Sequence, residues 1–407
     1  MKLCGIIAEF NPLTNGHDYF LKQVKKQTNA NLAVIMSGNF TQRGEMAILD
    51  KFTRASHAIL SGADIVLELP TCFALSSAPF FALGGVKILS DIGIDSLAFG
   101  VKMKDTSSLI KIAKLKSKED KKVSNQIVSF MKMGQSYSSA FLQTYKQTYP
   151  ELSKEIDEIF SEPNNILAIE YLSAIYQNNL DIQPVFINRE DCGYNSKKIK
   201  KMKIFGQTKS LINATFIRNL ATTEKMSKIK KLVPEHVFKS LNENKYQSTC
   251  QDKLDALILQ KLRGLSTQDL EKYADYNTGL CHLVNKYSNM LSSKSEICNA
   301  LSSKCYRKSR ISKLLLLPLF EIEKDFVKTL SKPYAINVLA VSASKKKWLS
   351  NLIKNSKAEL VISLSDLEKI SEEKKEFIKQ NQTGSNLFCI CNNKKQATDK
   401  TIFVAQQ

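Results

Sequence analysis

Along the first hundred positions, short apolar runs closed by turn residues occupy 2–9, 31–37, 64–69 and 95–101. Runs of this length, apolar without alternation, predict strands buried on both faces. Helical spacing fills the intervals: one helix opens near Gly16, one covers Lys51–Leu60 before Gly62-Ala63, and one covers 80–91 before Gly93. Glycine just past the last turn is a common helix stop. The order β-α-β-α-β-α-β predicts an α/β fold built on a doubly wound parallel sheet, with ligands at the carboxyl ends of its strands.

The pattern then changes twice. Residues 105–160 read as helical and Lys-rich, followed by a helix at 164–176, a strand at 182–188, a polar basic loop at 190–209 and a short helix at 211–221. Residues 226–330 are mostly helical in spacing. From Pro333 strands are predicted at 335–342, 359–363 and 386–391, with helices at 346–354 and 365–379. Three units are expected: a nucleotide-binding sheet domain over 1–225, a helical region over 226–330 and a small α/β module over 331–407. No internal repeat occurs.

Composition narrows the class. With 407 residues, 43% hydrophobic and 24% charged, the chain is globular, and disordered or collagen-like classes are excluded. Its 59 basic and 39 acidic residues give a net charge of +20. Eight bases and eight acids fall in the first hundred residues, so the whole surplus lies beyond them. A neutral head on a basic body suggests chemistry at one end and capture of a polyanion elsewhere. The apolar start stops at Glu9, too short for a secretory signal, and no run approaches a membrane span. Nine cysteines without a CxxC pair point to reduced, buried thiols, not a metal site; Cys389 and Cys391 are expected on one face of the last strand. A cytoplasmic protein with no membrane partner is expected.

The sharpest local signal follows the first strand: Phe10-Asn11-Pro12-Leu13-Thr14-Asn15-Gly16-His17. It places TxGH at a helix entry, where unpaired N–H groups and the positive end of the dipole favour phosphate. Gly16 permits close approach. Thr14 and His17 lie one turn apart, and the imidazole suits charge developing on phosphorus and on departing pyrophosphate. These two are the candidate catalytic residues; the bland alternative for Thr14 is a helix cap. Farther on, Ile212-Asn-Ala-Thr215-Phe-Ile-Arg218 resembles the ISSTxxR motif of nucleotidyltransferases, with Thr215 and Arg218 on one helical face to hold a triphosphate.

The segments GIIAEFNPLTNGH, MSGNFTQRGEMAILDKFTRASHAILSGADIVLELP, LAFG, EPNNILAIEYL and INRED-GYN together resemble the bacterial tRNA(Met) cytidine acetate ligase family, of the HxGH-type nucleotidyltransferase superfamily. The resemblance is strong over about 1–220 and follows the layout beyond. It implies activation of acetate by ATP to acetyl-adenylate, with Mg²⁺ carried by the nucleotide. Transfer to N4 of the wobble cytidine of elongator tRNA(Met) follows. It implies an ATP site along Ile7, Ala8, Glu9, Phe10, Asn11, Pro12, Leu13, Thr14, Asn15, Gly16, His17, Asp18, Tyr19 and Phe20, joined by Gly100, an Asn of the pair Asn164-Asn165 (Asn164 is taken) and Arg189. The family usually carries His where Thr14 stands, an exchange common among related adenylyltransferases. Arg43, in the loop after the second strand, is placed to meet acetate or pyrophosphate.

Three basic runs suit RNA phosphates: Lys197–Lys209, Lys304–Lys313 with Tyr306, and Lys345–Lys347 before Trp348. Lys200, Lys201, Arg307 and Lys308 are the candidate tRNA contacts, each alone also readable as solvated surface. Three rivals remain at this level. Lys225-Met226-Ser227-Lys228 spells the KMSK of class I aminoacyl-tRNA synthetases. A small-molecule adenylyltransferase needs no basic half. An RNA-binding protein retaining an ATP fold would not need Gly16, His17, Thr215 and Arg218 intact.

Overall fold

The computed structural model describes residues 2–103, 105–118, 121–133, 135, 137–188, 200–204, 207–223, 225–244, 249–303, 306–395 and 400–405. Five strands form the parallel heart of the sheet: β1 (Leu3–Ala8), β2 (Asn31–Ser37), β3 (Ile65–Leu69), β4 (Ser96–Val101) and β5 (Gln183–Asn188). Their spatial order is β3-β2-β1-β4-β5, so the winding reverses between β1 and β4. That reversal opens the crevice in which such sheets hold ligands. β2 is buried at every residue, which explains its unbroken apolar run.

The helices begin where side chains can take up orphan N–H groups. Thr14 caps α1 (Asn15–Thr28), and Asn29, at φ 48°, closes it in the left-handed region. Asp50 caps α2 (Lys51–Leu60), accepting the Thr53 N–H at 2.9 Å. The helix of Pro163–Gln177 starts with proline at its first position, where no donor is lost.

Two expectations change. The described part of the 190–209 loop contains strands β6 (Lys200–Ile204) and β7 (Gln207–Leu211), paired antiparallel. Such a basic ribbon gives little hydrophobic period to read. The strand expected at 386–391 is the last part of a helix, Glu376–Cys391. Its buried positions Phe377, Asn381, Gly384, Phe388 and Cys391 recur every three or four residues, a spacing that polar neighbours hid. Asn381 Oδ1 accepts both the N–H and the hydroxyl of Thr71 at 2.9 Å, fixing this helix just beyond β3.

The described strands of the C-terminal segment join the main sheet. β8 (Ala335–Ser342) pairs antiparallel with β3. β9 (Glu359–Val361) and β10 (Ile402–Val404) share the other edge of β8, one at each end, which completes an eight-stranded sheet. One buried cluster runs from Leu3 and Phe99 through Ile156, Leu254 and Ile311 to Cys391. A second, on the opposite face, joins Leu21 and Ala55 to Ile217, Val237 and Leu339. The sheet and both clusters draw on residues from each side of 225 and 330. Among the described residues no helix is long and apolar enough to cross a membrane.

Candidate active site

The loop after β1 is held by an interlocked set of bonds. Phe10 is buried in the left-handed region at φ 47°, a conformation a bulky residue rarely adopts unless its surroundings impose it. Its ring meets the His17 imidazole edge-on, centroids 5.3 Å apart. Thr14 and His17 form a reciprocal cap. The Thr14 hydroxyl accepts the His17 N–H at 3.3 Å, and His17 Nδ1 accepts the Thr14 N–H at 3.1 Å. A main-chain amide only donates, so Nδ1 carries the lone pair and the proton sits on Nε2. The helix-cap reading of Thr14 is thus realised, with the side chain buried.

A cavity of about 1110 Å³ opens over the β1–β4 crevice. Of the segment expected to hold ATP, Ile7, Ala8, Glu9, Phe10, Asn11, Thr14, Gly16, His17, Tyr19 and Phe20 line it. Pro12, Leu13, Asn15 and Asp18 are buried off its wall and act on the segment's shape. Asn15 Nδ2 donates to the carbonyls of Ser210 and Lys231, each at 3.0 Å. Asp18 pairs with Lys22 at 2.9 Å and Lys209 at 3.4 Å. Gly100 lines the cavity at the end of β4. The structure sorts the adjacent asparagines: Asn165 is fully buried and accepts the Lys102 N–H at 2.9 Å, while Asn164 lies on the wall. Arg189, like Lys197, Lys198 and Lys304, lies outside the described residues.

The two sequence motifs meet. The helix of Ala214–Thr222 is capped by Asn213, and Thr215 and Arg218 both line the cavity. Arg218 donates to the Asn11 carbonyl at 2.9 Å and the Thr215 hydroxyl at 3.2 Å, with Glu45 at 3.3 Å. The KMSK-like segment forms a short helix, Met226–Ile229, and none of it reaches the wall.

A second wall comes from the loop 38–50 and the helix Lys308–Leu314, and sequence reasoning found little of it. Arg43 lines the cavity, and burial lowers its guanidinium pKa. Next to it Gly44, at φ 69°, abuts this helix so closely that a Cβ would lie 2.6 Å from the Lys313 nitrogen. The Gly44 carbonyl accepts from the Lys294 ammonium and, at 2.9 Å, from the Ser312 hydroxyl. Burial pushes Lys294 and Lys313 down to about 8. Arg310 and Lys313 of this helix, with Arg307 just before it, line the cavity.

Beneath the loop, Arg54 is fully buried. It donates to the carbonyls of Leu49 at 3.0 Å, Glu9 at 2.6 Å, Ser37 at 3.2 Å and Gly38. Burial pushes it down to about 10. Lys51 and Glu68, each 1% exposed, pair at 2.9 Å, and Asn337 of β8 donates to Glu68 at 2.8 Å. These residues tie the carboxyl ends of β1, β2 and β3 together. The equal count of eight acids and eight bases in the first hundred residues was the one available hint.

Of the RNA candidates, Lys200, Lys201 and Lys308 are exposed, and Lys308 donates to Asn299 at 2.8 Å. Arg307, also exposed, lines the cavity. Lys345 departs from the surface reading: it donates to Asn31 at 2.9 Å and lies 3.8 Å from buried Asp64. Trp348 packs on the core, and the Arg310 guanidinium covers the Tyr306 ring at 5.3 Å.

Residues 1–401 match the family model described as HIGH Nucleotidyl Transferase. The chain is 32% identical to the tRNA(Met) cytidine acetate ligase of Thermosipho africanus, covering 93% of this chain and 90% of that one. It is 34% identical to the ligase of the same name from Clostridium kluyveri, covering 88% of each. Among solved structures it resembles Thermotoga maritima TmcAL without ligand, at TM-score 0.89 and 26% identity over the whole of both chains. The same protein bound with alpha-thio ATP matches at TM-score 0.86 and 26% identity, over 98% of this chain and 97% of that one.

Proposed function

The chain belongs to the tRNA(Met) cytidine acetate ligase family of HIGH nucleotidyl transferases, and we propose that it acetylates N4 of the wobble cytidine of elongator tRNA(Met) in the cytoplasm. One observation carries this reading: Arg218 bonds the Asn11 carbonyl, so both phosphate-directed motifs face one cavity over the reversal of the sheet. The triphosphate lies across the start of α1, with Gly16 allowing close approach and the His17 Nε2–H donating to the α-phosphate. Gly100, Asn164 and Arg189 hold the nucleoside, and Thr215 and Arg218 the leaving pyrophosphate.

An acetate oxygen attacks the α-phosphorus. The bond to the bridging oxygen breaks, pyrophosphate departs, and a mixed anhydride remains. Arg43 offers its positive charge to acetate or pyrophosphate. The β- and γ-phosphates bring Mg²⁺ with them and supply most of its ligands. The cavity keeps the anhydride from bulk water until the cytosine amine arrives, and Lys200, Lys201, Arg307 and Lys308 hold tRNA phosphates around its mouth.

Pyrophosphate release from ATP is measured with acetate, amino acids or nucleotide monophosphates, each with and without tRNA. Acetate-dependent turnover coupled to acetylated cytidine is expected. Turnover with an amino acid or a monophosphate alone would favour the rival enzymes, and none at all an RNA-binding protein. His17→Ala should slow acetyl-adenylate formation by about a hundredfold or more.

A further inference from the structure

The second half-reaction needs a group to take a proton. Cytosine N4 must lose one as it bonds to the acetyl carbon, and its lone pair, delocalised into the ring, makes it a weak nucleophile without help. His17 is poorly placed for this, since its Nδ1 is committed to the Thr14 N–H and its Nε2 already carries the proton.

Four carboxylates line the cavity: Glu9, Glu162, Glu170 and Asp275. Three are taken up by cations. Glu162 pairs with Lys102 at 2.5 Å, Glu170 with Lys116, and Asp275 with Arg310 at 3.9 Å. Glu9 differs. Among the described residues no cation lies within ion-pair distance of it, although the charges of Arg43 and Lys313 act on it across the cavity. Its Oε1 accepts the Gln42 N–H at 2.6 Å, and Arg54 holds its main-chain carbonyl, so the side chain stands in a fixed pose. Its Oε2 has no hydrogen-bond partner among the described residues. Glu9 directly follows β1 and precedes the loop that carries His17, at the reversal of the sheet.

We propose that Glu9 Oε2 is the proton acceptor for acetyl transfer to the cytosine amine. The N4–carbon bond forms, and the acyl carbon–oxygen bond to the phosphate breaks. The electron pair leaves with AMP, and the N4 proton passes to Glu9 and then to water. Nothing beyond acetyl-adenylate and the RNA base is consumed. The same oxygen receives the N4–H as a hydrogen bond before attack, which aligns the amine.

The inference rests on the acetate ligase reading, and the test separates the two. Acetate-dependent ATP–pyrophosphate exchange reports the first half-reaction. Single-turnover transfer from enzyme-bound acetyl-adenylate to an unmodified elongator tRNA(Met) transcript reports the second. Glu9→Gln keeps an oxygen for the Gln42 N–H but cannot take a proton. Transfer should fall about a hundredfold further than exchange, and Glu9→Asp should recover part of the transfer rate. Equal losses in both half-reactions, or unchanged transfer, would overturn the role of Glu9. So would a Glu9→Asp protein that exchanges pyrophosphate normally yet transfers no better than Glu9→Gln. A wild-type protein without acetate-dependent exchange would instead overturn the function itself.

Discussion

Two sets of cations, Lys51 and Arg54 under the loop after β2 and Lys200, Lys201, Arg307 and Lys308 beyond residue 100, sit in opposite surroundings. Lys51 and Arg54 are 1% and 0% exposed, and their charge is spent on Glu68 and on backbone carbonyls. Lys200, Lys201, Arg307 and Lys308 face solvent. Burial makes a charge costly unless it is fully paired, so buried cations are bound to one geometry. A surface cation keeps its hydration and contributes little to the fold, which leaves it available to a polyanion. Lys51 and Arg54 thus serve as scaffold, and the exposed set is the one we propose for tRNA phosphates.

The largest effect should come from the buried set. Arg54→Met leaves the carbonyls of Leu49, Glu9, Ser37 and Gly38 without their donor, and should cost about 3–5 kcal/mol in chemical denaturation. Arg54→Lys should not restore it, because one ammonium cannot span that fork of acceptors. Lys51→Met alone should cost a similar amount, and adding Glu68→Leu should recover part of it, since no lone buried charge remains. If these variants melt like wild type, the contrast between scaffold and surface charge fails.

A smaller, pH-dependent effect sharpens the same point. Burial, with His236 beside it, pushes His57 down to about 3. An unfolded histidine titrates near 6.5, so between these values the unfolded chain binds a proton that the native state does not. Stability at this site is therefore lost as pH falls from about 6.5 toward 3. His57→Gln should flatten the melting temperature against pH in that window, relative to wild type. The Asp50 and Arg54 charges act on the ring with opposite signs and stay in place in the variant.

The least effect on stability should come from the body. Neutralising Lys200, Lys201, Arg307 and Lys308 together should leave each position within about 0.5 kcal/mol of wild type. It should weaken tRNA binding and lower the salt slope by about one unit per lost phosphate contact. Unchanged affinity at low and moderate salt would place the RNA surface elsewhere.

Legibility followed how local each signal is. β2 and α2 end where the sequence places them, because an apolar run and a capped amphipathic turn are written in consecutive residues. The Phe10–His17 loop was readable for the same reason. β6 and β7 were not, since they carry few apolar positions. The helix Glu376–Cys391 was mistaken at its end because a short apolar run suits either period. Arg43 was placed at the ligand edge, but Gly44, Lys294 and Lys313 were not linked to it, for their partners lie more than two hundred residues away.

By itself the sequence determined the parallel βα order, the phosphate-directed helix start with Gly16 and His17, and the surplus of charge beyond residue 100. Each depends on neighbours along the chain. Tertiary structure alone decided that β8 extends the sheet beside β3, that Lys51 and Arg54 are buried, and that Glu9 keeps an oxygen without a partner among the described residues. Those outcomes depend on which distant groups arrive to pair, desolvate or leave a side chain alone, and no local pattern encodes them.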